Sequence, residues 1–260
     1  MLATKNNSKK VFILAGLFIC AILSACARKT YPPLPEALQA MESDNAVEVR
    51  EVPVHSWGDE PYYVFKPLHV EPQKGFIFYP GAFVDPRSYA PAAHAIAKKG
   101  FLIVIVKTPN DFAPLGWDRA DTVLRDFSSI ITWAIGGHSI GGLTGCEYLN
   151  ERQYPNNIRG LILWAAVPSR KYRLDTTDIK ALSIHGTNDG LVTAPLLAEA
   201  TQYFPKNTAW VEIAGGNHTQ FGYYDTAPAS VQRGDNPADI SREEQQEIIV
   251  EATINFLQQL

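Results

Sequence analysis

Positive charge, metal-ligand clusters and cysteine are all scarce in this sequence, and each shortage excludes a class of function. The 260 residues contain 23 Lys and Arg against 27 Asp and Glu, which gives a formal net charge of −4. Because the sequence has no basic block or stripe, it offers no electrostatic support for a nucleic-acid partner. His and Cys do not cluster at metal-ligand spacing, and the HExxH pattern is absent. We therefore expect neither a nucleic-acid partner nor a metal cofactor.

The N-terminus has the pattern of an export signal. Three lysines within the first ten residues precede an apolar run at residues 11–23, which is too short to span a bilayer comfortably. The run ends in Leu23-Ser24-Ala25-Cys26, which resembles a bacterial lipobox. The resemblance implies cleavage before Cys26, lipidation of its thiol and new amino group, and a protein anchored to a membrane of the bacterial cell envelope. A plain secretory signal and a short anchor helix are the alternatives.

The N-terminal pattern predicts that the chain has three parts. We expect a lipoprotein signal peptide at residues 1–25, a Pro-rich tether at 26–46 and one folded domain at 47–260. The tether contains the run Tyr-Pro-Pro-Leu-Pro-Glu, which favours an extended polyproline II conformation. After cleavage only Cys26 and Cys146 remain, so a lipidated Cys26 leaves no partner for a disulfide. Cys146 is expected to pack in a helix as a small apolar side chain.

From residue 47 onward, apolar segments of strand length alternate with segments of helical periodicity. The pattern predicts strands at 47–54, 62–66, 76–79, 101–106, one ending near 136, 158–164, 181–185 and 210–213. It predicts helices at 89–99, 119–131, 141–152, 194–203 and one that begins after Ser241 with a capping box. Such alternation is typical of a mostly parallel twisted sheet with helices on both faces.

The stretch GGHSIGG, residues 136–142, lies between a predicted strand and a predicted helix. A serine at a strand-to-helix turn needs a strained backbone and small neighbours two residues away on each side, and Gly137 and Gly141 meet that need around Ser139. A phosphate-binding P-loop would need a following lysine, and the dinucleotide pattern GxGxxG has no match here. A purely structural glycine-rich turn remains the alternative.

Two further motifs follow later strands. Asp189 comes after the predicted strand 181–185, and His218 comes after the predicted strand 210–213. Since the carboxyl ends of parallel strands meet at one edge of a sheet, Asp189 and His218 are expected near Ser139. With the motifs GGHSIGG, HGTNDGLV and GGNHTQFG in this order, residues from about 76 to 260 resemble the α/β-hydrolase superfamily. The resemblance is closest to its compact, capless members, such as dienelactone hydrolases and small esterases.

The resemblance implies a role for each residue. Ser139 would be the nucleophile, His218 the general base and Asp189 the acid that orients the imidazole, with Asp225 as the reserve acid. The oxyanion hole would use the backbone amides of Ile140 and Ala82, with that of Phe83 as the second choice for the latter. Many members have His-Gly where this chain has Pro80-Gly81. No cofactor is implied.

The resemblance also implies a fold without a large cap domain, since only residues 165–180 connect two strands where many members insert a lid. We therefore expect an open site that cleaves small or medium acyl substrates, namely carboxylic esters, thioesters or lactones. The alternatives are a membrane-anchored peptidase or amidase and a catalytically inactive binding protein on a hydrolase scaffold.

The loop 219–237 is expected to border the substrate, and His138 is expected to point away from the site. The sequence leaves the oligomeric state open. Candidate lining residues are Phe83, Phe112, Trp117, Trp164, Phe221 and Tyr223.

Overall fold

An eight-stranded sheet organises the protein in the computed structural model, which describes residues 30–53, 61–153, 155 and 157–260. The strands lie in the order β1-β2-β4-β3-β5-β6-β7-β8. β1 and β2 are antiparallel to their neighbours, whereas β3 to β8 are parallel, so the carboxyl ends of six strands share one edge. The strands are β1 (Val47–Val52), β2 (Tyr62–Pro67), β3 (Lys74–Tyr79), β4 (Leu102–Val106), β5 (Thr132–His138), β6 (Ile158–Trp164), β7 (Lys180–Gly186) and β8 (Thr208–Ile213).

Helices cover both faces of the sheet, and four of those in the described residues connect successive parallel strands. They are α1 (Pro35–Gln39), α2 (Ala90–Ala97), α3 (Arg119–Asp126), α4 (Ile140–Glu151), α5 (Ala194–Ala200) and α6 (Arg242–Gln258). Ser241 caps α6 with the predicted capping box, because its hydroxyl accepts from the Glu244 amide and the Glu244 carboxylate accepts from the Ser241 amide. The fold is thus the predicted α/β-hydrolase arrangement of a mostly parallel sheet with helices on both faces.

α3 is shorter than the predicted helix at 119–131. Phe127 leaves the helical region with φ −116° and ψ 47°, and the amides of Ile131 and Thr132 donate to the Gln73 carbonyl next to β3. The chain is therefore drawn into the start of β5, and strand pairing ends the helix earlier than its side-chain pattern indicates.

The core has one apolar layer on each face of the sheet. Successive residues of β3 point to opposite sides, so Phe76 and Phe78 pack in the layer with α2 and α6, whereas Ile77 and Tyr79 pack in the layer with α3 and α4. All five residues of β4 are buried, as expected for a central strand covered on both faces. Cys146 is fully buried within α4, as the sequence predicts.

The segment that the sequence assigns to a tether is part of the compact unit Tyr31–Leu260. Tyr31 pairs with Val84, and Pro33 pairs with Tyr224. α1 follows at once and buries Ala37 completely. Residues 31–46 therefore belong to the compact unit and are not a free tether, because backbone hydrogen bonds fix the extended segment against the domain.

The predicted signal peptide at residues 1–25 and Cys26 lie outside the described residues. Within the described part of the chain, the structure has no helix that is both long and apolar enough to cross a membrane. The connection between β6 and β7, residues 165–179, is fully described and contains neither helix nor strand, so no large cap covers this part of the sheet.

Candidate active site

Ser139 occupies a strained bend between β5 and α4. Its φ of 55° and ψ of −125° place it where side chains other than glycine rarely occur. A Cβ at Gly137 would lie 2.0 Å from the Tyr79 carbonyl oxygen, and one at Gly141 would lie 2.0 Å from the same oxygen. The two glycines are therefore required by close backbone contact, and the half-buried Ser139 is presented at the carboxyl edge of the sheet beside the amino end of α4.

Asp189 and His218 form a buried hydrogen-bonded pair at the same edge. The Asp189 Oδ2 and His218 Nδ1 atoms are 2.8 Å apart, and both side chains are 0% exposed. The other carboxylate oxygen, Oδ1, accepts from the amides of Leu191 at 2.8 Å and Val192 at 2.7 Å. The carboxylate is therefore fixed on both oxygens, and it can hold the imidazole with a proton on Nδ1.

The second imidazole nitrogen of His218 is left available. Nε2 is buried and has no hydrogen-bond partner among the described residues. It is therefore not hydrogen-bonded to the Ser139 hydroxyl either. A buried acceptor without a partner is energetically costly, so it is uncommon in proteins and is often explained by a catalytic role. Catalytic hydrogen bonds often shorten only when substrate is bound. The sequence predicts an open site. Ser139 is partly exposed, as this prediction requires, but His218 is buried and solvent does not reach it.

His138 lies closer to the site than its position in the sequence predicts. Instead of pointing away, its ring centroid lies 4.5 Å from that of His218, and it stacks on Phe221 with an interplanar angle of 10°. The ring is fully buried, and burial, reinforced by the proximity of His218, lowers the pKa of His138 well below its usual value. His138 is therefore a neutral packing partner of the His218 ring.

Tyr89 connects His138 to the loop that follows β3. The Tyr89 hydroxyl accepts from the Gly81 amide at 3.0 Å and lies 2.9 Å from His138 Nδ1. Since the hydroxyl oxygen accepts from Gly81, its proton is free to be donated to Nδ1, which places the His138 proton on Nε2. Nothing in the sequence around Tyr89 indicates this role, because it depends on three segments that meet only in the fold.

Ala82 carries the free amide in the loop after β3. The Gly81 amide donates to Tyr89, and the Phe83 amide donates to the Asp111 carbonyl at 2.7 Å. Neither is available for an oxyanion, which removes Phe83 as the second choice. The Ala82 amide has no partner among the described residues, and the Ile140 amide belongs to the first turn of α4, where amides have no partner within the helix.

Asp235 holds together the two loops that carry Asp189 and His218. Its Oδ1 accepts from the amides of Gly190 at 3.0 Å and His218 at 3.3 Å. Its Oδ2 accepts from the Thr219 amide at 2.7 Å and the Thr219 hydroxyl at 2.6 Å. Asp235 is not among the site residues predicted from the sequence, and its one signal there is the unusual length of the loop 219–237 that contains it.

The reserve acid and several expected lining residues have other positions. Asp225 is exposed and accepts from the Ala227 amide, so the His218 imidazole is bonded to Asp189 and not to Asp225. Trp164 and Phe221 are buried in the core. Trp117 packs against Arg152 and Tyr148, and Tyr223 packs against Arg242. Phe83 and Phe112 are half-buried and stacked, with centroids 5.4 Å apart.

Comparisons with known proteins agree with this architecture. A family model described as the Alpha/beta hydrolase family matches residues 75–247. No curated protein matches the chain significantly. A predicted CIB-like hydrolase from Thermoplasma acidophilum is similar in structure, with a TM-score of 0.57 at 18% identity over 83% of this chain and 99% of that one. An esterase from Rhizomucor miehei has a TM-score of 0.57 at 15% identity over 87% of this chain and 85% of that one.

Proposed function

The chain belongs to the alpha/beta hydrolase family, and from this premise we propose that it is a serine hydrolase that cleaves carboxylic esters, thioesters or lactones of small or medium acyl groups. The observation that carries the proposal is the buried Asp189–His218 pair, whose Nε2 atom is left unpaired at the edge of the sheet where Ser139 adopts its strained backbone.

In the proposed reaction, the Ser139 oxygen attacks the acyl carbon while His218 Nε2 takes the hydroxyl proton. The amides of Ile140 and Ala82 stabilise the oxyanion of the tetrahedral intermediate. His218 then donates the proton to the leaving group, which departs and leaves an acyl group on Ser139. A water molecule attacks the acyl-enzyme, gives its proton to His218 and releases the acid, and the proton returns to Ser139. Asp189 stabilises the imidazolium in each step.

The localisation is a separate part of the proposal. The lipobox pattern supports export, cleavage before Cys26 and attachment of acyl chains to that residue. Several acyl chains, at about 0.8 kcal/mol per buried methylene, are sufficient for stable anchoring. Mass spectrometry of the protein produced with its own signal sequence tests this part without any activity assay.

A fluorophosphonate probe tests the nucleophile directly, with Ser128→Ala as the matched control because Ser128 is an exposed serine. We expect the probe to label the wild type and Ser128→Ala but not Ser139→Ala. Against p-nitrophenyl esters, Ser139→Ala and His218→Ala should each lose turnover by at least about 10³-fold, and Asp189→Asn should retain weak activity because the geometry survives with the wrong tautomer.

Each alternative has its own outcome in these assays. Turnover of aminoacyl amides without turnover of esters would reassign the protein as a peptidase or amidase. Folded wild-type protein that the probe does not label would indicate an inactive binding protein. Full activity of Asp189→Asn would refute the role of Asp189.

A further inference from the structure

The first described residues of the chain lie across the rim of the candidate site. The Tyr31 amide donates to the Phe83 carbonyl at 2.6 Å, and the Asp85 amide donates to the Tyr31 carbonyl at 3.0 Å. The Leu34 amide then donates to the Tyr223 carbonyl at 2.9 Å, and the Asp225 amide donates to the Pro32 carbonyl at 2.8 Å. We call residues 31–34 the rim segment.

The partners of the rim segment belong to two loops of the site. Phe83 directly follows Ala82, whose amide is free for an oxyanion, and Tyr223 lies five residues after His218. The rings of Tyr31 and Tyr224 also contact each other, with centroids 5.5 Å apart. The rim segment is therefore fixed at the carboxyl edge of the sheet, where Ser139 is presented.

The position of the proposed lipid anchor limits how far this edge can lie from a membrane. Only residues 27–30, which we call the leash, lie between Cys26 and Tyr31, and the five residue-to-residue steps span at most about 18 Å when fully extended. A folded unit of this size has a radius of gyration of about 17 Å and hence a diameter of about 45 Å. Because the leash is much shorter than the domain is wide, the edge that holds the rim segment has to stay near the lipid surface.

Apolar side chains lie at this edge. Phe83 and Phe112 form their half-exposed stack there, and the Leu115 amide donates to the Phe112 carbonyl at 3.0 Å. The Leu115 side chain is 57% exposed. A single exposed leucine is common and needs no explanation by itself. Here, however, Leu115 lies at the same edge of the sheet as the rim segment, where the leash ends.

We propose that the enzyme works at the surface of the bilayer in which it is anchored, on amphiphilic acyl esters whose acyl chain lies in that bilayer. This rests on the proposed serine hydrolase activity and on lipidation of Cys26. The rim segment couples the two, because it attaches the lipid anchor to the loops that line the site rather than to the opposite end of the sheet.

Lengthening the leash tests the consequence for activity. A flexible insertion of thirty Gly and Ser residues between Arg28 and Lys29 lies outside the described residues and leaves the rim segment intact. The control carries the same thirty residues after Leu260. Both proteins are produced as lipidated full chains in phospholipid vesicles and assayed on a long-chain p-nitrophenyl ester in the same vesicles and on water-soluble p-nitrophenyl acetate.

We expect the insertion to lower turnover of the vesicle-bound ester by about 20-fold, since the effective concentration falls as the −3/2 power of the separation between Cys26 and Tyr31, which grows from five to 35 residue steps. Turnover of p-nitrophenyl acetate should not change. Unchanged turnover of both esters would overturn the proposal, as would wild-type protein without lipid on Cys26.

A fluorescence measurement tests the orientation without requiring catalysis. Leu115 and Ile131 are both exposed, at 57% and 66%, but Leu115 lies beyond the carboxyl end of β4 and Ile131 directly precedes β5 at the opposite edge. An environment-sensitive dye is attached to Leu115→Cys or Ile131→Cys, which is selective because Cys146 is buried.

Phospholipid carrying a spin label on its headgroup should quench the dye at position 115 more strongly than at position 131. Equal quenching, or stronger quenching at position 131, would overturn the proposal. If p-nitrophenyl acetate is not hydrolysed by any variant, the proposed function fails, whereas the quenching experiment still decides whether this edge faces the membrane.

Discussion

Replacing Asp235 with asparagine should loosen both loops that carry the Asp189–His218 pair. The Asp235 carboxylate accepts four hydrogen bonds, from the Gly190 amide, the His218 amide, and the amide and hydroxyl of Thr219. Asparagine keeps one acceptor oxygen and replaces the other with a donor. At least one backbone amide then faces an N–H group instead of an oxygen.

The size of the effect follows from these contacts. Whichever way the new amide is oriented, one or two hydrogen bonds to a charged acceptor are lost, at about 1.5–3 kcal/mol each. Because Asp235 is only partly buried, we expect the free energy of unfolding to fall by about 2–4 kcal/mol. Asp235 is a positioning residue, so kcat should fall by about tenfold to 100-fold through misplacement of His218, whereas KM should change little.

Asp225→Asn is the matched control, since it makes the same substitution in the same loop at an exposed carboxylate that accepts from Ala227. Urea denaturation gives the free energies of unfolding, and p-nitrophenyl acetate turnover gives kcat and KM. The reasoning is refuted if Asp235→Asn and Asp225→Asn have the same stability and the same kcat.

Two further predictions concern the strained bend at Ser139 and the buried His138. Gly141→Ala should destabilise the protein by more than about 2 kcal/mol despite the better helix propensity of alanine, because its Cβ would lie 2.0 Å from the Tyr79 carbonyl oxygen. Thermal unfolding should show a much smaller change for Gly116→Ala, whose Cβ would meet only side-chain atoms, at 3.0 Å or more. Below a pH of about 6.5 the unfolded state binds a proton that buried His138 rejects, so the free energy of unfolding should fall with acidification by up to about 1.4 kcal/mol per pH unit. Urea titrations across this range should show that the free energy of unfolding depends less on pH in His138→Gln than in the wild type. Part of the pH dependence should remain, because burial also lowers the pKa of His94. An unchanged slope would contradict the role of His138.

The parallel strands and the pairing of Asp189 with His218 could be predicted because each depends on local patterns and one general rule. Apolar runs identify β4 and β6, and parallel strands bring the residues after β7 and β8 to a common edge. No further detail of the fold was needed to expect these two side chains to meet.

The remaining parts of the site depend on contacts between distant segments. Three of the four hydrogen bonds that Asp235 accepts come from backbone amides, which have no side-chain signature in the sequence. Tyr31 binds through its own backbone, so its proline-rich neighbourhood looks like a free extended segment. The approach of His138 to His218 depends on how the loop after β8 brings His218 to the end of β5, which periodicity does not predict.

The Tyr89 oxygen links the proposed oxyanion loop to the side chains packed around the proposed general base, His218. This one oxygen is hydrogen-bonded to both the Gly81 amide and the His138 ring, and that ring packs against His218. A shift of either part stretches a hydrogen bond to the other, so their displacements are correlated. The loop after β3 and the His218 ring are therefore already aligned with each other in the fold without substrate.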